Sequence, residues 1–186
     1  MDVTSKQYAS SLAFSAFSTT LFIFSLSVTS GNISTATVVP MGLFYGGLIL
    51  LLAGMISFKV DDIFTATTAL SYSGFWMAIS SIMYLQPKFL LSSGDVGIFY
   101  LAWAVFTLYV WIASWKRDGA TNFHYLLWLI ALILLFIGGF TGGKNNFTYI
   151  GGWFAFASAL VGWYIAAANL FNETFGRYIL KIGKSV

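Results

Sequence analysis

The chain has 186 residues, of which 59% are hydrophobic and only 8% charged, with nine Lys+Arg against six Asp+Glu. A soluble domain carries about a quarter charged residues, so this balance, with a mean hydropathy of +0.83, describes a membrane protein. The absence of cysteine excludes a disulfide framework, a thiolate metal site and a cysteine nucleophile.

Short charged clusters separate charge-free runs over 7–58, 63–87, 96–115, 119–143 and 145–172. A spanning helix needs about 20 apolar residues, so each of the last four runs holds one helix. The first run holds two, with a break at Ser30-Gly31-Asn32. The expected fold is all-α: one polytopic membrane domain over 1–186, with helices roughly over 8–28, 38–58, 64–85, 96–115, 123–141 and 147–171. The amino terminus lacks a basic start and its first span is long and serine-rich, so it reads as a retained helix rather than a cleaved signal.

The first helix is the least apolar. Hydroxyls such as Ser11, Ser15, Ser18 and Thr19 alternate with Phe14, Phe17, Phe22 and Phe24. A face of hydroxyl and ring suits a pore lining, and small-residue packing accounts for it equally well.

The second helix opens at Pro40, which suits a first turn because its missing N–H is not needed there. Gly42 and Gly46 are four apart and share a face, with Gly47 beside them. Such a face lets another backbone approach closely, so these glycines read as helix packing.

In the third helix Tyr72 and Trp76 are four apart and lie near mid-span, where a tyrosine hydroxyl must find a partner and therefore turns inward, among hydroxyl neighbours such as Ser71. Pro87 is expected to end this helix. Trp111 and Trp115 in the fourth read as an interfacial belt. His124, the one histidine, reads as an interfacial residue at the mouth of the fifth, since a lone histidine makes no metal site. The Gly142-Gly143-Lys144 loop is no phosphate cradle, because the required glycine–lysine spacing and preceding strand are missing. The sixth helix, rich in Gly and Ala, should be packed on several sides, and its Glu173 and Arg177, four apart, read as an ion pair at the cytoplasmic rim.

With both termini in the cytoplasm, Lys6, Lys59, Lys116, Arg117, Arg177, Lys181 and Lys184 fall inside, seven of the nine basic residues, and Lys88 and Lys144 outside. The positive-inside rule selects that orientation, in the cell (plasma or inner) membrane.

Three blocks carry a family likeness. Met41-Gly42-Leu43-Phe44-Tyr45-Gly46-Gly47 with Ala53-Gly54, Ser71-Tyr72-Ser73-Gly74-Phe75-Trp76 with Pro87-Lys88, and the tail Asn172-Glu173-Thr174-Phe175-Gly176-Arg177 resemble the acetate/succinate permease family of bacteria and fungi. The likeness spans nearly the whole chain. It departs at the family's Asn-Pro-Ala-Pro-Leu-Gly-Leu signature, where this chain reads Gln7-Tyr8-Ala9-Ser10-Ser11-Leu12-Ala13. The resemblance implies a hexamer of six-helix protomers, each with its own pore narrowed by bulky apolar side chains. It implies Tyr72, Phe17 and Trp128 at that constriction, and Trp128 is larger than the leucine the family has there.

No Asp, Glu, Lys or Arg falls within a predicted membrane core, where such a charge costs at least about 2.5–3.5 kcal/mol. That absence argues against a buried carboxylate as proton carrier and leaves two routes open. A small acid crosses either with its own proton or by hopping between hydroxyl, indole and amide donors.

The leading expectation is a channel or transporter for acetate-sized monocarboxylates, with proton coupling and passage of succinate left open. The alternatives are a pore for small neutral solutes (urea, amides, ammonia) and a non-transporting membrane partner or sensor. Phe17, Thr19, Ser71, Tyr72, Trp76 and Trp128 are the pathway candidates. No nucleophile–base pair and no metal constellation points to an enzyme. No cofactor or nucleic acid is expected; the expected partners are a small carboxylate, lipid and further copies of the chain.

Overall fold

Six helices run α1 (Val3–Thr29), α2 (Thr35–Lys59), α3 (Ile63–Phe89), α4 (Ser93–Ala113), α5 (Gly119–Phe140) and α6 (Asn146–Thr174). The computed structural model describes residues 3–30, 33–89 and 91–183, so Gly31 and Asn32 of the expected break, and Lys184, lie outside the described residues. Among the described residues, all helices but α3 are long and apolar enough to cross a membrane by length and composition alone. The third helix is as long as the first but is interrupted by Thr, Ser, Tyr and Trp, for reasons its buried face makes plain.

Several helices start earlier than the expected bounds, because polar caps precede the apolar stretches on which those bounds rest. Ser92 Oγ accepts from Asp95 N–H at 3.1 Å while Asp95 Oδ2 accepts from Ser92 N–H at 2.8 Å, a capping box that opens α4. Asp118 accepts from Thr121 N–H at 2.8 Å and opens α5; Asn145 accepts from Thr148 N–H at 3.1 Å and opens α6. Asp62 does the same for Thr65 N–H at 3.2 Å in α3. Pro87 does not end that helix, which continues to Phe89. A proline two residues from a helix end removes one hydrogen bond without preventing a last turn.

The second helix is irregular along its glycine stretch. After a 3-10 turn at Thr35–Thr37 it turns π-helical over Met41–Ile49 and returns to α at Leu50. Such wide turns are rare in proteins and are frequent at functional sites.

Consecutive helices alternate in direction and pack as sequence neighbours, and α1 closes the ring against α6. The α3 and α4 backbones touch little, and aromatic rings fill the space between them: Tyr72 stacks on Trp103 at 5.9 Å and Phe75 on Phe99 at 5.5 Å. The outward faces are apolar, with Phe44, Leu48, Leu52 and Met55 exposed on α2 and Ile98, Val105, Leu108 and Ile112 on α4. That is the arrangement of a chain whose outer solvent is lipid or another copy of itself.

Several α1 hydroxyls bond within their own helix or to a neighbouring one. Thr20, Ser25 and Thr29 donate to carbonyls of their own helix, and Ser11 donates to Ala166 O of α6 at 3.0 Å. Lys59, Lys116, Arg117 and Lys181 gather at one end of the bundle and Lys144 stands at the other.

Candidate substrate pathway

Side chains from α1, α3 and α5 meet at the centre of the ring. The Phe17 ring sits edge-on to four others: Tyr72 at 5.0 Å, His124 at 5.5 Å, Trp76 at 5.7 Å and Trp128 at 5.8 Å. Phe75 adds Trp76 at 5.0 Å and Trp128 at 5.5 Å. Each such pair contributes about 0.5–1.5 kcal/mol beyond area burial, so Phe17 is held by several neighbours at once. The Tyr72 hydroxyl lies 2.9 Å from Thr107 Oγ1 on α4, and that Oγ1 is itself 2.7 Å from Trp103 O.

Two recesses approach this cluster from opposite ends. One is a narrow recess of about 20 Å³, bordered by Phe14, Phe17, Thr65, Tyr72, His124 and Tyr125. The other, of about 170 Å³, is bordered by Ile79, Met83, Val96, Tyr100, Leu135 and Thr148. Tyr72 and Ile79 are seven residues apart on α3, so the closed layer between the recesses is about 10 Å thick at 1.5 Å per residue. Phe75, Trp76, Trp128 and Leu132 fill it, all fully buried.

The layer is apolar in bulk but carries donors. The indole Nε1 of Trp76 and of Trp128, with the hydroxyls of Ser18 and Ser80, are buried without a hydrogen-bond partner among the described residues. Trp128 Nε1 interacts with the Tyr72 hydroxyl but at a geometry short of a hydrogen bond. An orphan donor of this kind costs about 1–3 kcal/mol, a cost that a passing acceptor oxygen removes.

The glycines of α2 make room for this layer from outside. A Cβ on Gly46 would stand 2.7 Å from Trp76 Cγ, one on Gly47 would stand 2.8 Å from Met77 Cγ, and one on Gly42 would overlap Ser80 Oγ. The close approach along this face is to α3 of the same protomer.

Of the residues singled out in the sequence, Phe17, Tyr72, Trp76 and Trp128 come together. Ser71 is half-buried and does not border either recess. Thr19 turns away: its Oγ1 accepts from Trp163 Nε1 at 2.9 Å, so it belongs to the α1–α6 seam. Glu173 and Arg177 do not share a helical face, because α6 ends at Thr174 and Gly176 takes a left-handed turn at φ +63°. The ion pair at this end is Arg117 Nη1 to Asp62 Oδ1 at 3.7 Å, with the guanidinium 5.2 Å from the Phe64 ring centre.

His124 is not interfacial. It is 1% exposed, with Nδ1 2.9 Å from Ser158 O and its ring against Phe14, Phe17 and Tyr125. The misplacement has a simple cause: the cap at Asp118 starts α5 four residues before the expected helix start at 123, which carries His124 inward by more than a turn. The spacing held the signal, since His124 and Trp128 are four apart on one helical face.

The tail has a structural part. Asn172 Oδ1 accepts from Ile179 and Leu180 N–H at 2.6 and 3.0 Å, and its Nδ2 donates to Leu180 O at 2.8 Å. Ala120 N–H then donates to Ile182 O at 3.0 Å, which ties the returning segment to the start of α5.

The family model described as the GPR1/FUN34/yaaH family matches residues 3–181. The chain belongs to that family. It is 30% identical over 152 residues to the succinate-acetate/proton symporter SatP of Escherichia coli K12, covering 80% of each chain. It is 29% identical to acetate permease A of Emericella nidulans, over 92% of this chain and 64% of that one. It is also 30% identical to ammonia transport outward protein 2 of Saccharomyces cerevisiae, over 86% of this chain and 60% of that one. Among solved structures, that of the bacterial acetate channel SatP superimposes with a TM-score of 0.88 at 26% identity, covering 94% of this chain and 98% of the other. The six-helix fold is therefore that of SatP, and the family is one of multi-pass membrane transporters and channels, not of enzymes.

Proposed function

We propose that this protein conducts acetate-sized monocarboxylates through its own six-helix protomer, with the Phe17–Tyr72–Trp128 layer as the constriction. The observation that carries this is the layer itself: closed and aromatic, with two recesses beyond it and with Trp76 and Trp128 indole donors lacking partners. Those donors match the acceptor oxygens of a small carboxyl group, and the bulk of the rings limits the length of the alkyl chain attached to it. The likeness to proteins described as a succinate-acetate/proton symporter and an acetate permease supports the substrate class. Further parts of the reading are a hexameric assembly through the apolar outer faces, both termini in the cytoplasm and a place in the cell membrane.

The deciding experiment is uptake of labelled acetate into liposomes with and without an inward proton gradient. Gradient-stimulated uptake is expected; none under either condition, from protein shown to be folded, would overturn the reading.

A second reading has its own observation. The layer bears no charge, and relatives described as ammonia transport outward proteins share the fold family, so a neutral solute such as ammonia is the alternative cargo. Ammonia flux without acetate flux in the same liposomes would select it.

A further inference from the structure

The recess beside Phe17 holds one nitrogen that the transport reading does not use. His124 Nδ1 stands 2.9 Å from Ser158 O and 3.1 Å from Ser158 Oγ; a carbonyl only accepts, so the shorter contact is satisfied by the tautomer with the hydrogen on Nδ1. Ser158 Oγ in turn donates to His124 O at 3.1 Å, which ties the two helices together at this point. Phe14, Phe17 and Tyr125 pack edge-on at 5.3, 5.5 and 5.0 Å. Gly162 of α6 lets that helix come close, since a Cβ there would stand 3.1 Å from His124 Cε1. The ring is thus fixed, and its remaining nitrogen, Nε2, is a lone-pair acceptor on a side chain that borders the recess.

The groups around it carry no charge. Facing the ring, α1 contributes Phe14, Phe17 and Ser18, α2 contributes Leu50, and α6 contributes Ser158 and Gly162. The titratable neighbours are Tyr72 on α3 and Tyr125 on α5 itself. Charge begins only at the rim, where Asp62 is paired with Arg117 and caps α3, and Asp118 caps α5. Two of the recess hydroxyls are spoken for as donors: Thr65 Oγ1 donates to Asp62 Oδ2 at 2.8 Å and Thr68 Oγ1 to Phe64 O at 2.9 Å. An ionised carboxylate would be desolvated here with no cation facing it, which strongly disfavours the charged form. An un-ionised acid avoids that penalty and brings an O–H that Nε2 can accept.

We propose that His124 is a ligand of the permeant: in this recess its Nε2 accepts a hydrogen bond from the O–H of a small un-ionised carboxylic acid. The acid's carbonyl oxygen is left to accept from the indole donors of the layer beyond. The site therefore selects the neutral form before the constriction is reached, without any charge in the membrane core. This assignment rests on the monocarboxylate reading, and the test separates the two.

Because His124 is the chain's one histidine, 15N-histidine labelling gives a single side chain to follow in protein purified without a polyhistidine tag. Acetate is titrated at acidic and at alkaline pH while the Nε2 resonance is recorded, and uptake is measured in liposomes from the same preparation. A saturable shift at acidic pH, absent at alkaline pH, is the expected result. In parallel, H124Q is expected to raise the KM for acetate uptake several-fold while leaving the maximal rate within about twofold, a loss of binding rather than of opening. Uptake with an unmoved Nε2 resonance would overturn the ligand role and leave the transport reading standing. A shift without uptake would support the site and overturn transport; neither would overturn both. The resonance is read on the unaltered chain, so misfolding of H124Q does not remove the test.

Discussion

Gly46 of α2 and Trp76 of α3 meet with no side chain between them: a Cβ at position 46 would stand 2.7 Å from Trp76 Cγ and 2.9 Å from Thr20 Oγ1. The indole is fully buried and packs on Phe17, Phe24 and Phe75, so it has nowhere to retreat. Overpacking of this kind costs about 1–3 kcal/mol, and more for a bulky side chain. Gly46→Leu is therefore expected to lower the thermal midpoint and abolish uptake, with Gly46→Ala intermediate. Oligomer size on native gels should not change for Gly46→Ala, because the contact lies within one protomer. Dissociation of that variant with an unaltered midpoint would place the glycine face between protomers instead.

Tyr72 separates a hydrogen-bonding role from a steric one. Tyr72→Phe removes the contact to Thr107 while Thr107 keeps its bond to Trp103 O, so the expected cost is about 0.5–1.5 kcal/mol with size selection intact. Tyr72→Ala opens the layer and should admit longer monocarboxylates. Competition assays with acids of increasing chain length read this, and unchanged selectivity in Tyr72→Ala would remove Tyr72 from the constriction.

Trp128 fills the layer from α5 and touches both Phe17 and Phe75. Trp128→Leu is expected to raise acetate flux, at a stability cost below the roughly 3–5 kcal/mol of truncating an indole to alanine. Initial uptake rates in liposomes at matched protein content decide it. Equal or lower flux from folded protein would mean that another ring sets the width.

Thr19 tests the boundary of the pathway. Thr19→Val leaves Trp163 Nε1 without its acceptor, which costs about 1–3 kcal/mol, and should leave the KM for acetate unchanged. A shifted KM at an unaltered thermal midpoint would return Thr19 to the route.

Asn172 holds the returning tail by three hydrogen bonds. Asn172→Ala should speed tryptic cleavage at Arg177 and Lys181 without altering the helices, as read by peptide mapping beside circular dichroism. Unchanged cleavage would show that Tyr164 donating to Lys181 O, with Ala120 donating to Ile182 O, suffices to hold the segment.

Much of this was legible in the residues taken singly. A charged fraction of 8% leaves no option but lipid, and runs of about 20 apolar residues between polar clusters count out six helices. Tyr72 and Trp76 at mid-span had to turn inward, because a phenol or indole in lipid must find company for its polar end. Helix ends were less accessible. Ser92, Asp118 and Asn145 act as caps ahead of the expected helix starts, so a reading by hydropathy starts each helix late.

The chain alone determined the class of solvent it folds in, the number of helices and which large rings must face inward, since each rests on transfer free energy and periodicity within one segment. Only the tertiary structure decided that Thr19 belongs to the α6 seam, that Glu173 and Arg177 part at a helix end, and that His124 stands with Phe17 at the closed layer. The physical reason is common to all three. A small rotation or a few residues of helix extension leaves hydropathy almost unchanged, yet it changes which neighbour a side chain meets, and that is settled only when several helices pack at once.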